Sequence, residues 1–312
     1  MSAGGSYSRI PRCQRGEAGA RPARRIRGIQ MMELPRYPNV NLDLFPYCNA
    51  KCRFCSYHGM KREKHPMPDE MVDKIVKEIS MWEDPVAIMP FFYGESLANP
   101  KLFDQCGLFE KYAPKARIEL STNGSLLDEE KIENLVNMKN LRYINFSGYA
   151  GTKETYEKIM GLPFDTLEKI EKAIKRLHED RPDVRMVVGC TNDPRFVSGA
   201  DFHALQMRFG KYGNIVSPHP ISFNNQHVSG FPRVVSDIVP CTAIFVNVVV
   251  YNDGVIGACC FDVEHELAIG NMSEGMMPII TAFNRDISGY RGMHLSLKKD
   301  LIPLCKSCTQ PN

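Results

Sequence analysis

The chain has 312 residues, 43% hydrophobic and 24% charged, which excludes a wholly disordered protein, a collagen-like fibre and a coiled coil. Its formal net charge of +3 divides unevenly, because seven arginines against Glu17 make residues 1–30 basic and leave the rest slightly acidic. A body with no basic surplus is not expected to bind nucleic acid, and no apolar run reaches the ~18 residues of a membrane span.

Residues 1–35 are rich in Gly, Ala, Pro and Arg without apolar periodicity, and read as a disordered tail. The tail lacks the apolar core of a secretory signal, so a cytoplasmic protein is expected. Arg36–Phe45 alternates Val40, Leu42 and Leu44 with polar residues, a strand pattern. Asp69 is placed to cap a helix carrying Met71, Val72, Ile75, Val76 and Ile79. Strands are then expected at Ala87–Tyr93, Arg117–Ser121, Arg142–Phe146, Val184–Gly189 and Ile215–Ser217, the last stopped by Pro218. Helices are expected at Pro100–Tyr112, Asp128–Met138, Phe164–Glu179 and Ala200–Phe209. Such alternation implies an α/β fold with a parallel sheet, and too few units to close an eight-stranded barrel. The expectation is a partial (β/α)6 barrel over residues 36–236, with its site at the carboxyl ends of the strands.

Beyond it, residues 237–312 read as a small α+β module. Phe245–Tyr251, the turn Asn252-Asp253-Gly254 and Val255–Cys260 make a hairpin, followed by an amphipathic helix near Met276–Phe283.

The cysteines carry the chemistry. There are eleven, an odd number in a chain without a secretory signal, so metal binding is favoured over disulfides. Cys48, Cys52 and Cys55 follow the first strand at C-x3-C-x2-C spacing. A structural zinc site wants four ligands, and no fourth Cys or suitably spaced His completes one locally. Three thiolates on a four-iron cluster instead leave one iron open to a small molecule.

This loop, with Phe54 before its last cysteine, resembles the signature of the radical SAM superfamily. Tyr93-Gly94-Glu95-Ser96-Leu97 resembles the family's Gly-Gly-Glu-Pro-Leu segment, departing from it at Tyr93 and Ser96. Asn123, in Ser121-Thr122-Asn123-Gly124, and Ser147 stand where the family's third and fourth strands end. The resemblance implies a [4Fe-4S] cluster on Cys48, Cys52 and Cys55. It also implies S-adenosylmethionine (SAM) held near Tyr93, Gly94, Glu95, Asn123 and Ser147, an external one-electron donor such as flavodoxin or ferredoxin, and hydrogen abstraction by a 5′-deoxyadenosyl radical.

Cys241, Gly254, Cys259 and the Cys305-x2-Cys308 pair are similar to the SPASM/twitch extension of that superfamily, in its short form. The likeness implies an auxiliary [4Fe-4S] cluster on Cys241, Cys259, Cys305 and Cys308; a four-cysteine zinc ribbon is the alternative. The same segments resemble twitch enzymes of aminoglycoside biosynthesis, both dehydrogenases and epimerases, which implies an aminosugar-like small-molecule substrate. Cys260 is surplus to four ligands, and a thiol can donate hydrogen to a carbon radical. Epimerisation with Cys260 as the catalytic donor is therefore the expectation. Dehydrogenation and ribosomal-peptide maturation are the alternatives, the latter disfavoured by a short, polar stretch before the first strand. Cys106 and Cys190 are expected in the core, and Asp262, Glu264 and Glu266 are either a polycation site or a solvated loop.

Overall fold

The structure is a computed structural model and describes residues 35–191, 193–219 and 240–308; the tail and the expected boundary near residue 236 lie outside them. Leu34–Asn312 form one compact unit. Six parallel strands run β1 (Asn39–Leu42), β2 (Ala87–Met89), β3 (Arg117–Thr122), β4 (Leu141–Tyr149), β5 (Arg185–Thr191) and β6 (Val216–His219). The helices between them are α1 (Asp69–Ser80), α2 (Leu102–Tyr112), α3 (Glu129–Asn137), α4 (Lys153–Met160), α5 (Thr166–Asp180) and α6 (Gly199–Phe209). The strands stand in the order 6-5-4-3-2-1, as successive crossovers dictate. No pairing among the described residues closes β6 onto another strand into a barrel.

The hydrophobic spacing is realised in the core. Val72, Ile75, Val76 and Ile79 of α1, and Leu167, Ile170, Ile174 and Leu177 of α5, are buried on one face of each helix. Cys106 and Cys190 are buried as well.

Several local expectations are corrected. Pro68, not Asp69, is the residue before α1, and Asp69 is its first residue. Pro218 does not stop β6 but lies within it, opposite Cys190. This is the outermost strand among those described, where a missing N–H leaves no ladder bond unmade. Helix α4 was not anticipated, although Gly161 marks its end in the left-handed region, φ 62°.

The chain after residue 240 does not build a separate sheet. A helical turn, α7 (Ala243–Val246), precedes β7 (Asn247–Val250), so the expected strand starts late. Strand β7 pairs in parallel with β1, from Asn39↔Asn247 to Leu42↔Val250. Strands β8 (Val255–Gly257) and β9 (Ala268–Asn271) extend the sheet antiparallel, and β9 was also not anticipated. Gly254, φ 87°, makes the β7–β8 turn. Three short helices follow, α8 (Pro278–Thr281), α9 (Ser288–Leu295) and α10 (Pro303–Ser307). Because β1 sits between β2 and β7, the strand that launches the first cysteine loop also carries the second cysteine group on its other side.

One buried clasp ties these parts together. Arg62, just past the first cysteine loop, donates to Asp43 Oδ2, Asn252 Oδ1 and the Val263 carbonyl, each at 2.6 Å. Its guanidinium lies 4.9 Å from the Tyr251 ring centroid.

Candidate active site

The first cysteine loop is held by backbone contacts that its own sequence does not advertise. Lys51 and Arg53 donate their amide N–H groups to the carbonyls of Met160 and Ile159, at 2.9 and 3.0 Å. These are the last carbonyls of α4, which no intrahelical donor satisfies. Within the loop, Cys55 N–H donates to the Cys52 carbonyl at 3.1 Å, and Cys48 N–H to Tyr57 Oη at 3.1 Å. Phe54 is buried, its ring centroid 4.8 Å from that of Tyr149 and 5.8 Å from that of Phe196. The aromatic before the last cysteine thus anchors the loop to the end of β4.

The strand ends converge on this loop. Glu95 is buried, and its carboxylate accepts hydrogen bonds from Leu97 N–H (3.0 Å), Asn123 N–H (2.7 Å) and the Thr122 hydroxyl. Burial raises its pKa against these bonds. A carboxylate has about four lone-pair sites, so one remains for a ligand's donor. Asn123 Nδ2 donates to Asn49 Oδ1 at 3.0 Å, joining the end of β3 to the loop. Gly94 is required by space: a Cβ there would stand 2.6 Å from the Phe45 carbonyl oxygen.

Cys48, Cys52, Cys55, Tyr93, Gly94, Glu95, Asn123 and Ser147 line one cavity of about 170 Å³. The loop's outer side, again including the three cysteines, borders a second cavity of about 700 Å³. Sequence reasoning missed Tyr149 and Met160, which line the smaller cavity. Tyr149 has φ 46°, rare for a non-glycine residue, beside an irregularity in the β4–β5 register. No sequence signal marks that backbone. Met160 Sδ is 3.6 Å from Cys52 Sγ.

The thiols suit a cluster. Burial pushes the Cys48 thiol up to about 11 and raises Cys52 and Cys55 as well, with Cys48 and Cys52 further raised by the neighbouring thiols. Thiolates crowded into a dry site are costly alone and are stabilised by iron. Among the described residues, no three His, Cys, Asp or Glu side chains surround a point that one metal ion would occupy. The three thiols border cavities instead.

The second group gathers five thiols rather than four. Cys259 interacts electrostatically with Cys260 and Cys241, Cys260 with Cys241 and Cys308, and Cys305 with Cys308 and Cys241. Phe261 N–H donates to Cys259 Sγ at 3.4 Å. Cys260 packs against a buried apolar group that includes Tyr251, and burial raises its thiol to about 12. Asp262 and Glu264 hold backbone groups of the fold itself. Asp262 is buried and accepts Leu267 N–H at 2.7 Å, and Glu264 accepts the N–H groups of Lys61 and Arg62 at 2.8 and 3.1 Å. Tyr93 is buried in a small apolar cluster against which Cys55 packs, and it lies within electrostatic range of Cys259 and Cys260.

Residues 42–195 match the Radical SAM superfamily model, so the chain carries a radical SAM domain, whose family uses a [4Fe-4S] cluster and SAM. A curated relative, the S-adenosyl-L-methionine-dependent 2-deoxy-scyllo-inosamine dehydrogenase of Niallia circulans, is 27% identical over 100 residues, 32% of this chain and 40% of the relative. The crystal structure of BtrN in complex with AdoMet and 2-DOIA is 19% identical with a TM-score of 0.60, covering 88% of this chain and 93% of BtrN. Streptococcus suis SuiB bound to precursor peptide SuiA is 14% identical with a TM-score of 0.64, covering 82% of this chain and 67% of SuiB. At such identities the solved structures establish the fold, a mixed α/β architecture with a parallel sheet, as the alternation of strands and helices implies. No helix among the described residues is long and apolar enough to cross a membrane.

Proposed function

We propose that this enzyme oxidises a carbinol carbon of a cyclitol- or aminosugar-like small molecule to a ketone, and that Cys241, Cys259, Cys305 and Cys308 hold an auxiliary [4Fe-4S] cluster. The observation that carries the reading is Tyr93, which shares a cavity with Cys48, Cys52 and Cys55 and stands beside Cys259 and Cys260. A substrate in that cavity would meet Tyr93, which lies within electrostatic range of the second cysteine group, so an electron leaving it could pass toward that group by way of this side chain.

The [4Fe-4S] cluster and SAM, when bound, would supply a 5′-deoxyadenosyl radical able to take one hydrogen atom from substrate, and the auxiliary cluster would supply the acceptor for the second electron. The carbinol proton leaves to a base or solvent, so two hydrogens and two electrons are accounted for. Glu95, with one carboxylate lone pair left over, and Asn123, held by its contact to Asn49, would hold SAM together with Ser147 on the same cavity wall. Phe54 and Tyr149 close the cavity wall against water. An external flavodoxin or ferredoxin reduces the first cluster.

The curated dehydrogenase relative supports oxidation rather than the epimerisation expected from the surplus thiol. The packing of Cys260 against Tyr251, with Cys241 and Cys308 beside it, agrees with a structural thiol. The test is anaerobic turnover of reconstituted enzyme with SAM, reductant and 2-deoxy-scyllo-inosamine among a panel of aminocyclitols. A product two hydrogens lighter, formed one-to-one with 5′-deoxyadenosine, is expected. A product of unchanged mass with one inverted carbon would overturn the reading in favour of epimerisation.

A further inference from the structure

His294, on α9, is buried to 2% exposure beside the second cysteine group, and both of its ring nitrogens are engaged. The backbone N–H of Cys241 donates to Nδ1 at 3.2 Å, and Nε2 lies 3.5 Å from Cys305 Sγ. An amide N–H only donates, so Nδ1 must be the unprotonated nitrogen. A neutral imidazole then carries its one proton on Nε2, and that N–H points at the Cys305 sulfur. The tautomer follows from the partners alone. The ring thereby spans two sequence-distant cysteines, 241 and 305, which no loop of their own connects. The buried Lys299 adds a positive charge felt by both His294 and Cys305.

We propose that His294 is a positioning residue of the auxiliary cluster: it fixes the Cys241 backbone relative to Cys305 and donates an N–H···S hydrogen bond to the Cys305 ligand, which raises the cluster's reduction potential. A donor to a ligand sulfur stabilises the reduced, more negatively charged cluster. An easier reduction is what an electron-accepting cluster requires. This inference rests on the auxiliary-cluster reading above.

The test uses full-length chain with Cys48, Cys52 and Cys55 replaced by Ala, so that only the second site carries iron, and follows its midpoint potential by a redox titration monitored by electron paramagnetic resonance. His294→Leu should shift the potential in the negative direction, whereas His294→Gln, which keeps an N–H donor near the Nε2 position, should restore most of the shift. A His294→Leu cluster with full iron and an unmoved potential overturns the proposal and leaves the auxiliary cluster standing. No iron in the parent triple variant overturns the auxiliary-cluster reading, and this proposal with it. If His294→Leu fails to load, pulsed resonance on the reduced cluster of the parent, prepared with ring-15N histidine, decides the question. A resolved histidine nitrogen coupling supports the contact, and its absence overturns it.

Discussion

The amide N–H of Lys51 donates to the carbonyl of Met160 at 2.9 Å, so the C-terminus of α4 grips the loop that carries Cys48, Cys52 and Cys55. Gly161, immediately after that helix, has φ 62°, and a Cβ there would stand 2.8 Å from Lys51 Cβ. A side chain at residue 161 is therefore strained twice, by its backbone and by the loop. Gly161→Val should destabilise the fold by about 1–3 kcal/mol. It should also lower reconstituted iron from about eight toward about four per chain, because only the first cysteine loop is displaced. Iron and sulfide analysis with a thermal melt checks both.

The Arg62–Asp43 pair, with side chains 5% and 1% exposed, locks β1 and the first cysteine loop to Asn252 and Val263 of the second cysteine segment. Arg62→Met keeps much of the bulk but leaves the Asp43 carboxylate buried without its partner. A loss of about 3–5 kcal/mol is expected in chemical denaturation. The exposed Lys101–Asp69 pair is the control, and Lys101→Met should change stability by less than about 1 kcal/mol.

Cys259 and Cys260 are adjacent, yet Cys259 Sγ accepts the Phe261 amide while Cys260 packs against Tyr251. Cys259→Ala should lose about four irons per chain, and Cys260→Ala should keep about eight. Under the dehydrogenase reading Cys260→Ala also continues to form ketone and 5′-deoxyadenosine. Mass spectrometry of the product, alongside iron analysis, separates the two residues. Loss of iron in Cys260→Ala alone would exchange their roles.

Much of the fold was legible because its signals are local. The apolar stripes of α1 and α5 and the alternation in β1 depend on spacing within one segment. Cys48, Cys52 and Cys55 were legible for the same reason. What escaped depends on distant partners or on backbone angles. Helix α4 carries a weaker apolar pattern, and its value to the site lies in two carbonyls that meet residues 51 and 53. Tyr149 is set apart by a positive φ, which composition cannot show. His294 stands 11 residues before Cys305 and 53 after Cys241, so nothing in the sequence announces a ring bridging both. The acidic Asp262 and Glu264 left two readings open because the backbone N–H groups they accept come from partners that only the fold brings near.

Oxidation of substrate by this enzyme requires that Cys48, Cys52 and Cys55 hold a SAM-binding cluster distinct from a second one. The most direct measurement is iron content and SAM cleavage in anaerobically reconstituted wild type and in the Cys48/Cys52/Cys55→Ala variant. About eight irons should fall to about four, and 5′-deoxyadenosine formation should vanish, because only a cluster with an open iron binds SAM. A wild type holding zinc in place of iron, or a triple variant that still cleaves SAM, would contradict the account.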